Sequence, residues 1–377
     1  MKALACIGMG KSEAAIVDGF RMAGLEMEET ALAGLTEKNI KESDYLFVFS
    51  ANYSPAVSTV CQKALVPYLS YVTEMPAKAL YDETVKNPCN YIFCFDAAMC
   101  TELDQRIPGR CFHLPLGAAE VDVSECKAGD PVDVCFVGSL CQEHGGDDWI
   151  EGLSDFTRGY LESLWKTQVR IYGYDLLKAA MKQEVFDELE KQLPSELWSG
   201  VEAGFEKHVL ADMVLAGKVT EMERKQLLKA VSEQFETHLY MTEDAEAVSE
   251  LPAIHVHREA VPSGKKKDIY RNSRINLCFA HRSIASGVPQ EVYEIMAAGG
   301  FVLTNFQQEI TENFIVGEHL DTFASESELL EKIAYYLEHE DERVRIAEAG
   351  RQAVREYHSY VSRVVAMFNT VFSEEGK

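Results

Sequence analysis

The sequence predicts an α/β protein with two parallel-sheet domains, and three observations carry that prediction. Short apolar runs of strand length alternate with helix-compatible or loop segments along both halves, as in a sheet covered by helices. The chain has 377 residues, long for a single core. A polar stretch at 120–131, rich in Asp, Glu and Gly, is followed at once by a new buried-strand pattern, V-D-V-C-F-V-G-S-L.

Composition narrows the function classes. Hydrophobic residues make up 47% and charged residues 26%, and no apolar run reaches the roughly 20 residues of a membrane helix. The N-terminus lacks the basic start and apolar core of a secretion signal, so the expectation is a cytoplasmic protein with no membrane span. The formal charge of −25, from 36 basic and 61 acidic residues, repels nucleic acid and anionic membranes and argues against both as partners. The 10 cysteines form no C-x-x-C pair and several fall in apolar runs. They read as reduced core thiols rather than a zinc site or a disulfide framework.

The first segment, A-L-A-C-I-G-M-G-K-S-E-A-A-I-V-D-G-F, reads as strand, glycine turn and helix, with Ser12 as N-cap. Gly8 and Gly10 would let a ligand approach the backbone, with the helix-start N–H groups facing an anion, but the signal is weak and a plain tight turn opening a Rossmann-like domain is the favoured reading. G-x-G-K-S lacks the four residues that separate glycine from G-K-S in a phosphate-binding P-loop. The third glycine position of the dinucleotide fingerprint is also missing, which disfavours a dehydrogenase. Strand-like runs follow at 45–50, 68–72, 91–95 and 111–116. Two polar loops stand at presumed strand ends: S-A-N-Y-S-P, with Asn52 and Tyr53, and Y-V-T-E-M-P, with Glu74. Glu74 is the acid best placed to face a cleft, or it caps the next helix.

Beyond the restart, with its glycine turn at Gly138 and Ser139, the chain is strongly helical from 147 to about 234. Trp149, Leu153, Phe156, Tyr160 and Leu164 recur every three or four residues, and a short strand is expected at 169–174. Such a helical block is expected to be structural cover. Strand signals return at 238–241 and 253–257. His255 and His257 would share a strand face, read as a partly exposed strand rather than metal ligation, because no further ligand is spaced to join them. The segment G-K-K-K-D-I-Y-R-N-S-R holds Lys265, Lys266, Lys267, Arg271 and Arg274, either a solvated helix face or a positive field for a diphosphate.

The stretch 274–307 reads as a βαβ unit. An apolar strand at 275–279 leads into a polar loop at 280–289, Pro289 suits the first helical turn, and Val292, Ile295 and Met296 keep helical spacing. Gly299 and Gly300 stop the helix, and a second strand follows at 301–304. Loops after strand ends are where open α/β sheets bind ligands. This one holds His281, Arg282 and Ser283, and Glu294 lies on the helix beyond. A short strand near 319–323, a helix from a Ser325/Glu328 capping box, and a helical run at 341–372 broken near His358 complete the chain.

Positions 274–307, continued by E-I-T-E-N-F-I-V-G-E-H-L and L-L-E-K-I-A-Y-Y-L-E-H-E-D-E-R-V-R-I-A-E-A-G, resemble the C-terminal half of the CgeB-type, spore-maturation glycosyltransferase-like family within the group 1 glycosyltransferases. S-A-N-Y-S-P, Y-V-T-E-M-P, N-P-C-N-Y-I-F-C-F-D and V-C-F-V-G-S-L are similar to the domain that often precedes it. The resemblance implies a GT-B fold, two Rossmann-like domains facing a cleft. The first, 1–125, would take the acceptor and be completed by a C-terminal helix at 359–377. The second, 130–358, would bind the donor and carry the helical insertion at about 147–234. It implies metal-independent transfer from a UDP-, GDP- or dTDP-linked sugar, with no permanently bound cofactor, to a protein, glycan or small-molecule acceptor. Helix N-termini and basic side chains would stabilise the leaving diphosphate.

Residue by residue, Glu294 matches the acidic position that contacts the donor ribose, where a carboxylate can accept from both hydroxyls. The partner glutamate eight positions earlier is Ser286 here. Arg282 matches a basic position suited to the diphosphate, and Gly138, Ser139, Ser283, Lys265 and Arg271 complete the expected donor side. Gly8, Gly10, Asn52 and Tyr53 form the expected acceptor side, and Glu74 and Asp96 are the candidate bases. Glu291 stands where relatives often carry arginine, and Cys278 where asparagine is expected. Ser286 and Glu291 favour the alternative, an inactive GT-B-fold protein that binds a nucleotide or sugar or acts as an assembly factor.

Overall fold

The computed structural model describes residues 1–8, 10, 12–127, 129–141, 148–242, 248–251, 253–258 and 261–373. Lys11 of the glycine turn, the insertion's expected first residue Asp147, and residues 374–377 of the expected last helix lie outside the described residues.

The apolar runs become two six-stranded parallel sheets. The first contains β1 (Lys2–Ile7), β2 (Glu26–Ala31), β3 (Val48–Ala51), β4 (Tyr68–Val72), β5 (Asn90–Cys94) and β6 (Cys111–His113), in the order β2-β1-β3-β4-β5-β6. The second contains β7 (Val132–Val137), β8 (Thr237–Tyr240), β9 (His255–His257), β10 (Ser273–Cys278), β11 (Val302–Asn305) and β12 (Asp321–Phe323), in the order β12-β11-β10-β7-β8-β9. Both orders reverse once, between β1 and β3 and between β7 and β10. The connections on either side of a reversal diverge to opposite faces of the sheet, leaving a crevice at the strands' C-terminal ends.

Central strands are fully buried, and their sequences are near-continuously apolar, as a sheet covered on both faces requires. β2 is the strand the apolar runs do not announce. E-M-E-E-T-A lies at the sheet edge with Met27 alone buried, so its composition reads as surface.

The helical block holds the helices Asp155–Gln168 and Gln183–Gln192 and a long helix that runs from Glu206 to Ser232 through a π-turn at Ala211–Leu215. The predicted apolar stripe is corrected in part: Leu153 and Leu164 are buried, but Phe156 is 57% exposed and Leu161 and Trp165 fill the core instead. The helix begins at Asp155, capped by Ser154, so Trp149 and Leu153 are not in phase with it. The strand predicted at 169–174 is a loop. Its carbonyls at Val169 and Ile171 accept hydrogen bonds from Arg282 rather than from a neighbouring strand.

After the helices Glu326–Glu338 and Glu340–Tyr357, the chain crosses back to the first sheet. The Ala118 amide donates to the His358 carbonyl at 2.9 Å, and a Cβ on Gly117 would lie 2.4 Å from that oxygen. The last helix, Tyr360–Phe372, packs on the helix Glu13–Met22 and sets Phe372 against Phe47. The break near His358 is thus the crossing point. All ten cysteines are free, and Cys89, Cys126 and Cys141 are the half-buried ones. Among the described residues no helix is long and apolar enough to cross a membrane.

Candidate functional site

A cavity of about 500 Å³ opens beyond the C-terminal ends of β7, β8 and β10, where the order of the second sheet reverses. Val137, Gly138 and Ser139 leave β7 along one wall, and Leu277 to Phe279 end β10 on another. The helix Gln290–Ala297 contributes Glu291 and Ile295, and the helix Ser263–Asn272 contributes Lys266 and Tyr270. Met75, in the loop after β4 of the first sheet, also lines it, so the cavity lies between the two sheets. A Cβ on Gly138 would come within 3.2 Å of the Phe136 ring, so the turn after β7 passes close over that ring.

Among the described residues, two cations line this cavity in a protein of net charge −25. Arg224, on the long helix, donates to the Ser139 carbonyl at 2.6 Å and the Phe279 carbonyl at 2.6 Å, bridging the turns after β7 and β10. Its guanidinium lies 5.5 Å from the centre of the Phe136 ring, and its buried Nε finds no acceptor among the described residues. Lys266 Nζ stands 3.1 Å from a Glu294 oxygen. Glu291 lines the cavity and Glu294 sits one turn further along the same helix, reaching it through Lys266.

Arg282 does not join them. Its guanidinium donates twice to Glu223, at 2.7 and 2.6 Å, and once each to the Val169 and Ile171 carbonyls, and it lies 4.1 Å from the centre of the Tyr172 ring. The Arg282 side chain is 7% exposed and that of Glu223 1%. Every nitrogen of the guanidinium is engaged in holding the loop to the helical block. Ser283 is buried and tied to His281, whose Nδ1 accepts from the Ser283 amide, leaving the ring proton on Nε2. Burial pushes the His281 pKa down to about 3, so the ring is neutral. Lys265 is exposed, and Arg271 lines a separate groove of about 360 Å³ beside Glu348 and Gly299.

On the first sheet, Gly8 has φ +96° and its amide donates to Glu13 at 2.6 Å, while Ser12 makes no side-chain cap. A Cβ on Gly10 would meet Ala51 at 2.9 Å and the Asn52 amide at 3.1 Å, so the glycine turn packs directly on the Asn52 loop. Asn52, at φ +61°, accepts from the backbone amides of Thr73 and Glu74 and so ties the loops after β3 and β4 together. Tyr53 points into the core, bonded to Thr84 and Asn90, and burial pushes its pKa up to about 12. Glu74 is half-buried, next to Met75 of the cavity wall.

Asp96 joins the two halves. Its Oδ1 caps the helix Ala97–Asp104 through the Met99 amide at 2.8 Å, and its Oδ2 accepts from the amides of Ala285, Ser286 and Gly287 at 2.7–3.1 Å. Ser286 Oγ donates to Glu309 at 2.7 Å and accepts from the Ala98 amide at 3.1 Å. Glu309 in turn accepts from the Ala97 amide at 2.8 Å and contacts His113 Nε2 at 2.7 Å. The first-turn donors of that helix are therefore satisfied largely from the other half of the chain. The Glu309 bond raises the His113 pKa above its ordinary value. Burial pushes the Glu309 carboxyl up, but the bonds from His113, Ala97 and Ser286 outweigh it and leave it below the usual range.

Comparison with known structures decides the architecture. A glycosyltransferase from Rickettsia africae ESF-5 superposes over 99% of both chains with a TM-score of 0.55 at 11% identity. HepE from Anabaena, solved with UDP and glucose, matches 99% of this chain and 100% of its own at a TM-score of 0.56 and 9% identity. The T4 phage BGT, solved with UDP-glucose, does so at 0.54 and 9%. The chain has the GT-B fold. Within it, residues 216–369 match the family model described as glycosyl transferase-like. No curated protein matches the chain.

Seen as GT-B, the cavity lies against the second sheet and faces the first. Sequence reasoning placed Gly138 and Ser139 on its wall and missed Arg224, Lys266's direct place in it, and the Asp96–Ser286–Glu309–His113 network. Arg224 follows Glu223 in a helical run, and nothing in local spacing says which of the two reaches the cavity. Only the partner of Glu223, Arg282 from 59 positions away, settles it.

Proposed function

We propose that this protein is a glycosyltransferase of the CgeB type that moves a sugar, a hexose in the first instance, from a nucleotide-sugar donor to an acceptor hydroxyl. The observation that carries the proposal is the cavity at the strand-order reversal of the second sheet, with Arg224 and Lys266 converging in an acidic protein. The diphosphate sits between these cations and against the backbone of Gly138 and Ser139. As phosphate arrives, Lys266 turns towards it, and the Glu294 carboxylate accepts from the ribose hydroxyls. UDP is the first nucleotide to test, because HepE and the phage BGT were solved with UDP or UDP-glucose.

In the transfer step a base takes the acceptor's hydroxyl proton and the oxygen bonds to the anomeric carbon. The anomeric carbon–phosphate oxygen bond breaks, and the nucleoside diphosphate leaves with the electron pair. Arg224 and Lys266 stabilise its charge, which is the work a bound metal performs in other transferases. Glu74 is the better base candidate, since Asp96 Oδ1 caps its own helix and Oδ2 holds the loop at 285–287. The acceptor, a protein, glycan or small molecule, enters from Gly8, Gly10 and Asn52. Residues 1–125 with the last helix form the acceptor domain and 130–358 the donor domain, in a cytoplasmic enzyme.

The test is a thermal-shift screen with UDP, GDP, dTDP and UDP-glucose in chelator, followed by mass spectrometry of donor incubated with acceptor pools. Stabilisation by one nucleotide with release of its diphosphate supports the proposal. No stabilisation by any of them at millimolar concentration overturns it, and stabilisation without turnover assigns the cavity to binding alone.

A further inference from the structure

At the free edge of the second sheet, three histidines and a glutamate converge on one face. β8 and β9 run parallel with His238 paired to His255 and Tyr240 to His257. Strand alternation puts His238 and Tyr240 on one face while Thr237 and Leu239 point into the core, and Glu236 precedes them in phase. His255 and His257 line up beside them on the same face. The ring centres of His238 lie 4.9 Å from His255 and 5.1 Å from His257, and Tyr240 stacks on His257 at 4.2 Å.

We propose that Glu236, His238 and His255 form a binding site for a divalent transition-metal ion of the zinc class, with His257 as the partner that orients His238. One carboxylate oxygen and one ring nitrogen from each histidine already lie within 4.8 Å of one another. A tetrahedral zinc ion holds ligand atoms roughly 3–3.5 Å apart at bond lengths near 2 Å, so the three ligand atoms need to draw together by no more than about 1–2 Å. The two ring nitrogens of His238 already have separate neighbours, Nε2 facing Glu236 at 3.3 Å and Nδ1 facing His257 Nε2 at 2.9 Å. A ligating histidine presents one nitrogen to the metal and donates the other N–H to a neighbour. In the metal-bound form His238 carries its proton on Nδ1, donated to His257, and offers Nε2 to the ion.

The donor set, two imidazoles and a carboxylate, suits zinc and excludes magnesium as the preferred ion, since magnesium takes oxygen ligands. The Glu236 side chain is 55% exposed and that of His238 16%, so the fourth position opens to water. Sequence spacing brought only His255 and His257 together; His238 and Glu236 arrive through strand pairing. The ion would clip the outermost strand to β8, whose end, Tyr240 to Thr242, lines the cavity. The site takes no part in the proposed donor chemistry.

The test uses tag-free full-length protein treated with chelator, then titrated calorimetrically with Zn²⁺ and spectroscopically with Co²⁺, with excess Mg²⁺ present. The expected result is one saturable Zn²⁺ per chain, Co²⁺ absorption of tetrahedral intensity, and a rise in Tm with Zn²⁺. His257→Ala should weaken binding by about 10–100-fold, and Glu236→Gln and His255→Ala by more. Glu236 and His255 are exposed, so these two variants test the site in a folded chain. No saturable binding, or unchanged binding in Glu236→Gln and His255→Ala, overturns the proposal.

Discussion

Two arginines that stand close together in space divide the labour between structure and cavity. Arg282 and Glu223 are a buried pair, so removing one partner leaves an uncompensated charge in the interior. Arg282→Ala should therefore lower stability by about 3–5 kcal/mol, read as a fall in denaturant midpoint, while the folded fraction keeps its nucleotide affinity. Arg224 has the opposite profile. It bonds carbonyls rather than a carboxylate among the described residues, so its alanine variant should lose less stability than Arg282→Ala but bind nucleoside diphosphate weakly. The sequence pointed to the loop residue, because Arg282 stands in the ligand-binding loop of a βαβ unit. Its engagement by Glu223 is a long-range fact that a local pattern does not carry. The helix that carries Glu294 was legible; the pairing of Glu294 with Lys266 was not, since that lysine sits among three consecutive ones.

At the scale of elements, the loop 281–289 does more than end a strand: it docks on the helix Ala97–Asp104. A Cβ on Gly287 would lie 2.8 Å from the Phe95 ring and 3.1 Å from the Asp96 Cα. Gly287→Ala should cost about 1–3 kcal/mol of stability by forcing the two loops apart, measurable by urea denaturation. The His113–Glu309 contact adds a pH dependence. The folded pKa of His113 lies above the ordinary 6.5. Its contribution is thus fully present below that value and is lost as pH rises through the folded pKa. Wild type should lose stability relative to His113→Gln across that rise, and identical pH profiles for the two proteins would contradict the assignment. With its side chain 32% exposed, His113 should give a small effect. Most strands were legible as apolar runs, and the break near His358 as a helix boundary. The edge strand β2 and the loop at 169–174 were not, because exposure hides the first and side-chain bonding to Arg282 replaces a strand partner in the second.

Across the whole molecule, two parallel sheets face each other through their C-terminal ends, and the last helix returns to the first. The two parallel sheets were readable from length, alternation and the restart after 131; that they face each other and that the last helix returns was what the family resemblance implied. The position of the cavity was not readable, because it depends on the strand order of the second sheet, which no local segment encodes. The proposed contacts of Arg224 and Lys266 with the diphosphate predict that nucleotide binding weakens with salt, as screening acts on the cations that hold it. A rise in affinity from low to high ionic strength would contradict that. The most direct test of the central claim is calorimetric titration of UDP, GDP and dTDP into wild type, Arg224→Ala and Lys266→Ala. One nucleotide should bind wild type, and each substitution should weaken it by about 1.5–3 kcal/mol, the loss of a charge-assisted hydrogen bond. Equal affinity in all three proteins would place the donor elsewhere and contradict the account.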